Sequence, residues 1–325
     1  MGLLNGLLRF WHQVGTAPLV REFHRGLADP RRAQVSALRR TLRCAGGAEY
    51  ARRYGFSSIR GADEYRSRVP LIHYEDVADL VDRQRRGEPD VLVPGRPEMF
   101  ARTSGTTGRS KYVPVTGRSY QDYHFAQAVW RNHMLRDHPG VIGRQLLSVV
   151  SPAAEEYTSA GIPCGAISGK IYLSQSPGTR MFVPVPYEVM ELDDCRAKYY
   201  LISRLAAGAD VGLIATANAS TLVVLAEEMA ANAEALAADI ERGALGVELG
   251  LPAGLMEKLW PRLAPDGGTA ARIRSALNEH GTLRPRDLWP RLELVVVWLG
   301  GAAGFYAPKV QELYSPRCTR DLGFT

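Results

Sequence analysis

The sequence predicts an α/β fold with mixed, largely parallel sheets flanked by helices. Short apolar runs bounded by Gly, Pro and Ser alternate along the chain with stretches of helical apolar spacing, the pattern of strands joined by crossover helices. The composition, 46% hydrophobic and 23% charged over 325 residues, is that of a folded globular chain and excludes a disordered tail, a collagen-like repeat or a coiled-coil rod. The longest apolar run, residues 294–307, has 14 residues and contains three glycines, short of the roughly 20 needed to span a bilayer. The opening MGLLNGLLRFW is interrupted by Asn5 and Arg9 and lacks a small-residue cleavage site, which argues against a signal peptide.

Taken in order, Val35, Leu38 and Leu42 predict a helix over 31–43, and Tyr74, Val77, Leu80 and Val81 a second over 73–86, closed by Gly87 with Glu88-Pro89 blocking its extension. The period then changes. Residues 99–102 and 111–115 read as strands flanking a loop rich in Gly, Ser and Thr. A helix is expected over 118–136 and a buried strand over 145–150. Residues 157–187, rich in Gly, Pro and Ser, suggest short strands and turns. A helix over 188–207 and a strand over 210–216 come next. Leu222, Leu225, Met229, Leu236 and Ile240 then mark one long helix, with Asn218 or Ser220 as its cap. Residues 292–299 form the clearest buried strand, and Gly300-Gly301 turns it into a helix near 306–314. Asp321 to Thr325 reads as the opening of a further strand.

Charge and cysteines narrow the classes. Residues 1–60 carry eleven arginines against Glu22, Asp29 and Glu49, leaving the rest of the chain near −2 of the net +6. These arginines fall on polar helix faces with no aromatic residues between them, a solvated surface rather than a nucleic-acid or membrane partner. Cys44, Cys164, Cys195 and Cys318 lie more than twenty residues apart, so neither a zinc ladder nor a disulfide framework is expected, and a reduced, cytoplasmic setting follows. His124, His133 and His138 lack metal-ligand spacing, and no H-E-x-x-H or G-x-S-x-G string occurs. Asp193-Asp194 and Glu227-Glu228 read as exposed helix charges.

One segment carries chemistry: Thr103-Ser104-Gly105-Thr106-Thr107-Gly108-Arg109-Ser110-Lys111. Its glycines allow backbone N–H groups to approach an anion, its hydroxyls add donors, and Lys111 supplies a mobile positive charge. The spacing differs from the P-loop G-x-x-x-x-G-K-[ST], and a strand rather than a helix follows, which argues against a P-loop NTPase. A protein kinase is excluded, because no H-R-D or D-F-G triplet occurs.

The nine-residue string resembles the phosphate loop of the adenylate-forming superfamily, T-S-G-T-T-G-x-x-K. Around it, Ala48-Glu49-Tyr50, Tyr54-Gly55-Phe56, Arg68-Val69-Pro70-Leu71, Tyr74-Glu75-Asp76, Lys111 to Thr116, Leu288-Trp289-Pro290 and Gly300-Gly301 resemble the auxin-responsive promoter family of acyl-acid amido synthetases, in its bacterial branch. The likeness runs from about residue 17 to the last residue. It implies ATP- and Mg²⁺-dependent activation of a small carboxylic acid to an acyl-adenylate, followed by amide formation with an amine or amino acid.

Under this resemblance Thr103, Ser104, Gly105, Thr106, Thr107 and Gly108 hold the phosphates, and Lys111 stabilises charge as pyrophosphate leaves. Gly300, Gly301 and Ala302 lie against the adenine. Thr216, Ala217 and Asn218 face the acyl group, with a plain helix cap as the alternative. Tyr157-Thr158-Ser159 is a weaker pocket candidate beside a simple turn.

The resemblance also places the magnesium-binding glutamate, the ribose-binding aspartate and the C-terminal lid domain with its lysine beyond Thr325. The chain is accordingly expected to be an incomplete large N-terminal domain of an adenylate-forming enzyme, with 1–98 a mainly helical lead-in and 99–325 the nucleotide- and acyl-binding α/β part. No residue here is assigned to the metal. An unpaired sheet edge is expected to invite association with other chains. A noncatalytic nucleotide-binding remnant or interaction protein is the alternative.

Overall fold

The structure, a computed structural model, describes residues 2–103, 110–246, 248–252 and 254–323, with side chains from residue 13 onward. The chain forms two compact units: residues 6–136 with 152–170, and residues 137–151 with 171–325 and the first five residues. The helical lead-in therefore shares a unit with the first sheet.

In the first of these units the helices Gly2–Ala28 and Pro30–Ala45 are separated by Asp29. Its carboxylate accepts the Arg32 N–H at 3.0 Å, and Pro30 occupies the first helical position, where no amide hydrogen is required. Leu42 packs with Ala48, Ala51, Phe56 and Ile59. The expected helix over 73–86 is a 3₁₀ turn, Tyr74–Val77, running into the helix Ala78–Arg85. Gly87 closes it at φ +100°, with Ala160 3.0 Å from where a Cβ would sit. Buried Gln84 holds the segment that follows: its amide donates to the carbonyls of Val93 and Gly95, and its Oε1 accepts from the N–H groups of Leu92 and Val93.

Strands β1 (Met99–Thr103) and β2 (Lys111–Val115) form an antiparallel hairpin from Met99↔Val115 to Thr103↔Lys111. In the other unit β3 is Gln145–Ser148. Returning to the first unit, β4 (Glu156–Tyr157) and β5 (Pro163–Gly165) complete a sheet of order β2-β1-β5-β4, in which β5 runs parallel to β1 and antiparallel to β4. Phe100 and Cys164 face a core with Val81 and Ile162. Gly165 is required, because a Cβ there would lie 2.6 Å from the Ala153 carbonyl oxygen.

The other unit is built on a parallel sheet. With β6 (Val211–Ala215), β7 (Leu294–Val297) and β8 (Cys318–Asp321), the order is β3-β6-β7-β8. All four β7 side chains are buried, as a parallel strand covered on both faces requires. The helices Cys195–Ala206, Ala219–Ala231, Ala233–Arg242, Gly267–His280 and Ala307–Tyr314 supply the cover. Trp289 and Tyr314 stack at 6.3 Å within this core. The Trp289 indole N–H donates to the Ala206 carbonyl at 2.9 Å and the Tyr314 hydroxyl to the Leu222 carbonyl at 2.7 Å, so neither ring buries an orphan polar group.

Three local expectations are corrected. The apolar stripe from Leu222 to Ile240 is two helices, not one. Asn232 breaks the first at φ −109°, ψ 15° and returns its side-chain amide to the Glu228 carbonyl at 2.8 Å, the backbone competition expected of Asn. The helix expected over 188–207 starts later: Asp194, an exposed charge as expected, is its cap, with a carboxylate that accepts from the N–H groups of Arg196 and Ala197 and starts the helix at Cys195. The strand expected to open at Asp321 instead ends there.

Asp239, 1% exposed, gathers a buried polar cluster beneath the helix pair. It accepts from the Tyr200 hydroxyl at 2.7 Å, the Gly246 N–H at 2.8 Å and the Arg242 guanidinium at 3.0 Å. Burial, then the Asp239 contact, pushes the Tyr200 phenol far above its usual range, so it stays a donor. Asp239→Ala would leave these donors without their acceptor. Arg242, 62% exposed, returns to water, so the expected loss is that of the unsatisfied Tyr200 and Gly246 donors, about 1–3 kcal/mol, measured as a lowered urea midpoint at constant m-value.

Candidate functional site

The residues expected to handle phosphate lie on the β1–β2 hairpin. Ser104, Gly105, Thr106, Thr107 and Gly108, with Arg109, lie outside the described residues. Thr103 and Lys111, the last paired residues on either side, are described, and backbone pairing at Thr103↔Lys111 fixes where the loop departs and returns.

Lys111 is held lightly. Its Nζ lies 4.0 Å from a Glu75 carboxylate oxygen and 5.5 Å from the Tyr74 ring centre, and the pair is solvent-accessible on both sides. An ion pair of that exposure stabilises by no more than about 1 kcal/mol, so Lys111 can leave Glu75 for a stronger anion. Tyr74 also accepts the Tyr112 N–H on its hydroxyl at 3.0 Å, anchoring the residue beside Lys111.

A polar network braces the hairpin from the other side. Arg102 donates to the Ser110 hydroxyl and to Glu155, each at 3.1 Å. The Tyr112 hydroxyl donates to Glu156 at 2.6 Å, and the Arg85 guanidinium lies 3.8 Å over the Tyr112 ring. The hydrogen bond to Glu156, reinforced by burial, raises the Tyr112 pKa, so the phenol remains a proton donor at neutral pH. Burial likewise pushes the Cys164 thiol up, which argues against a thiolate nucleophile there.

The acyl and adenine candidates are brought together by the parallel sheet of the other unit. Thr216, Ala217 and Asn218 follow β6, and Gly300, Gly301 and Ala302 follow β7. The Thr216 N–H donates to the Val296 carbonyl at 3.1 Å and the Trp298 N–H to the Ala217 carbonyl at 2.9 Å. Both segments therefore leave the same carboxyl end of the sheet, the edge where open α/β sheets bind ligands. Asn218 occupies the N-cap position of Ala219–Ala231 at φ −94°, ψ 122°, but makes no side-chain capping bond. The alternative of a helix cap is thus met by backbone geometry alone.

The two glycines differ. Gly301 has φ +56°, a left-handed conformation that favours glycine. Gly300 has φ −81°, ψ 154°, open to any residue, and a Cβ there would meet no atom of the described residues within 4 Å. Among the described residues none requires glycine at 300. Gly304, which the sequence did not single out, is required by packing: a Cβ would lie 2.4 Å from the Leu299 carbonyl oxygen.

The remaining candidates resolve into structure. Thr158 belongs to the turn between β4 and β5, its hydroxyl accepting the Ile162 N–H at 3.1 Å. His124 meets Tyr120 edge-on at 4.5 Å, and His133 lies 5.4 Å from His24. Among the described residues no three His, Cys, Asp or Glu side chains are grouped to hold a metal ion, and no helix is long and apolar enough to cross a membrane.

The sequence placed Tyr74 in a helical stripe and, with Glu75, in a resemblance, without a role beside Lys111, and it did not single out Arg102, Gly304 or Asp321 for the site. A positive charge one residue before a phosphate-type loop was a usable signal for Arg102. Asp321 had none, since its partner at Leu299 is 22 residues away.

A fold of this kind, with strand-end segments and a loop-bearing hairpin, is that of the acyl acid amido synthetases. The structure is similar to AtGH3.15 acyl acid amido synthetase in complex with 2,4-DB, at a TM-score of 0.81 and 18% identity over 95% of this chain and 54% of that one. Residues 19–318 match the family described as "GH3 family N-terminal domain", and the chain belongs to the GH3 family.

Similar curated proteins include the jasmonoyl-L-amino acid synthetase GH3.3 of Oryza sativa subsp. japonica. It is 27% identical over 316 residues, 92% of this chain and 67% of that protein. The probable indole-3-acetic acid-amido synthetase GH3.12 of the same plant is 25% identical over 309 residues, 89% of this chain and 50% of that protein. The chain thus spans between half and two thirds of the length of these relatives.

The glycines yield a paired prediction. Gly301→Ala should destabilise by about 1–2 kcal/mol from its left-handed backbone. Gly300→Ala should leave the thermal midpoint of the wild type unchanged, and a nucleotide-binding loss in that variant would mark the open face as a ligand contact.

Proposed function

We propose that this chain carries the nucleotide- and acid-handling part of an ATP-dependent acid–amine ligase. In the reaction a carboxylate oxygen attacks the α-phosphorus of ATP, the bond to pyrophosphate breaks, and an acyl-adenylate forms. An amine, such as that of an amino acid, then attacks the acyl carbon and AMP leaves. A carboxylate is a poor electrophile, and AMP supplies the leaving group it lacks.

The single observation that carries this reading is the Thr103 to Lys111 string, whose ends Thr103 and Lys111 pair on an antiparallel hairpin, with the Lys111 ammonium 4.0 Å from the exposed Glu75 carboxylate. Thr103, Ser104, Gly105, Thr106, Thr107 and Gly108 would hold the β- and γ-phosphates. Lys111 would meet the charge that develops as pyrophosphate departs, the stage at which a prepositioned cation accelerates the step. Gly300, Gly301 and Ala302 would offer uncovered backbone to the flat base, and Thr216, Ala217 and Asn218 would face the acyl group. The described residues offer no ligand cluster for Mg²⁺; in this scheme the ion arrives with the triphosphate, and no step here depends on where it is held. Family membership and the amide-forming activities in the names of the relatives support the reaction class.

The test is carboxylate-dependent exchange of pyrophosphate into ATP. Lys111→Ala should lower exchange about ten- to a thousandfold, the scale for removing one charge-stabilising group, with an unchanged thermal midpoint. Exchange that survives the substitution intact would remove Lys111 from the mechanism, and nucleotide binding without exchange for any acid would favour a noncatalytic binding module.

A further inference from the structure

We propose that Asp321 is a positioning residue that shapes the turn after β7 and thereby sets the preference for adenine over guanine in the nucleotide. The inference rests on the reading that this turn faces the base, and it adds a residue and a selectivity that reading did not contain.

β7 and β8 pair in parallel up to Val297↔Asp321, and the Leu322 N–H still donates to the Val297 carbonyl at 2.9 Å. Two residues later β7 turns away. Its Trp298 N–H is taken by Ala217 on the β6 side. The next main-chain donor, Leu299 N–H, is taken by a side chain: Asp321 Oδ2 accepts it at 3.2 Å. The other carboxylate oxygen, Oδ1, accepts the Gly323 N–H at 2.8 Å. One carboxylate therefore ties Leu299, two residues past the end of β7, to the exit of β8. On its other side Leu299 is confined by Gly304, which brings the backbone against the Leu299 carbonyl.

Gly300 and Gly301 emerge directly from this doubly held residue, with no atom of the described residues within 4 Å of where their Cβ atoms would be. Gly300 caps and Gly301 opens the 3₁₀ turn Gly301–Tyr306, so the direction of their N–H and C=O groups is set by Leu299 on one side and by that turn on the other. Adenine and guanine have similar stacking faces. They differ at the six position, where adenine carries an amino donor and guanine an oxygen acceptor. A backbone carbonyl in a fixed place accepts from the first and repels the second, and a misplaced one does neither. Selectivity of this origin depends on the anchoring, whereas stacking and phosphate contacts do not.

The experiment is competition of ATP and GTP against a fluorescent N-methylanthraniloyl-ATP probe, beside hydrogen exchange of the peptide covering 298–304. It uses the wild type, Asp321→Ala, Asp321→Asn and Lys111→Ala. The wild type should prefer ATP. Asp321→Ala should weaken ATP about tenfold, the scale of one lost charged hydrogen bond, leave GTP nearly unchanged, and speed exchange at 298–304. Asp321→Asn, which keeps one acceptor oxygen, should fall between, and it carries the test if the alanine variant does not fold. Lys111→Ala should weaken both nucleotides alike.

An unchanged ATP-to-GTP ratio in the Asp321 variants, or a parallel loss of both nucleotides, would overturn the inference while leaving the nucleotide site standing. A wild type that binds neither nucleotide would overturn the site itself, and the selectivity with it.

Discussion

Burial of β7 on both faces constrains the rest of its unit. A four-residue strand with no exposed side chain must satisfy its backbone within the sheet, because water cannot reach it. β6 on one side and β8 on the other supply those partners, and the covering helices follow from the apolar faces that result. The same pairing aligns the strands in parallel. Their carboxyl ends therefore come out together, and the segments after β6, β7 and β8 meet at one edge. The shared edge is a consequence of satisfying backbone hydrogen bonds.

The hairpin of the other unit follows a different logic. Antiparallel pairing closes onto its own connection, so Thr103 and Lys111 are opposite one another by local geometry. What surrounds them is polar and partly exposed: Arg102 with Glu155, Tyr112 with Glu156, Lys111 with Glu75. The two ion pairs among these, Arg102–Glu155 and Lys111–Glu75, stabilise little individually. Their value lies in orientation, with positive charge kept near the hairpin end while each cation stays exchangeable. The contrast with Asp239 is instructive. There a carboxylate 1% exposed takes three donors, and its loss would leave those of Tyr200 and Gly246 unsatisfied, so it serves stability rather than binding.

Much of this was legible in the sequence because the governing signals are local. β2 lies at 111–115 as the sequence implied, and 99–102 and 145–150 mark β1 and β3 to within a residue or two. Where expectation and structure parted, a side chain competed with the backbone: Asn232 interrupts a continuous apolar stripe, and Asp194 starts a helix later than hydrophobicity alone suggested. Periodicity records burial, and it is blind to a hydrogen bond that ends a helix whose next turn would also have been buried.

The sequence by itself determined the α/β class, the strand-flanked Gly/Ser/Thr loop and its lysine, and the family to which the chain belongs, since each rests on residues near one another in the chain. Only the tertiary structure decided which strands are neighbours, that Thr216 to Asn218 and Gly300 to Ala302 share an edge, that Glu75 is the counter-charge of Lys111, and that Asp321 holds Leu299. These depend on the register of non-consecutive strands and on packing between segments far apart in sequence. That register is chosen by the burial of the whole sheet, and no local pattern encodes it.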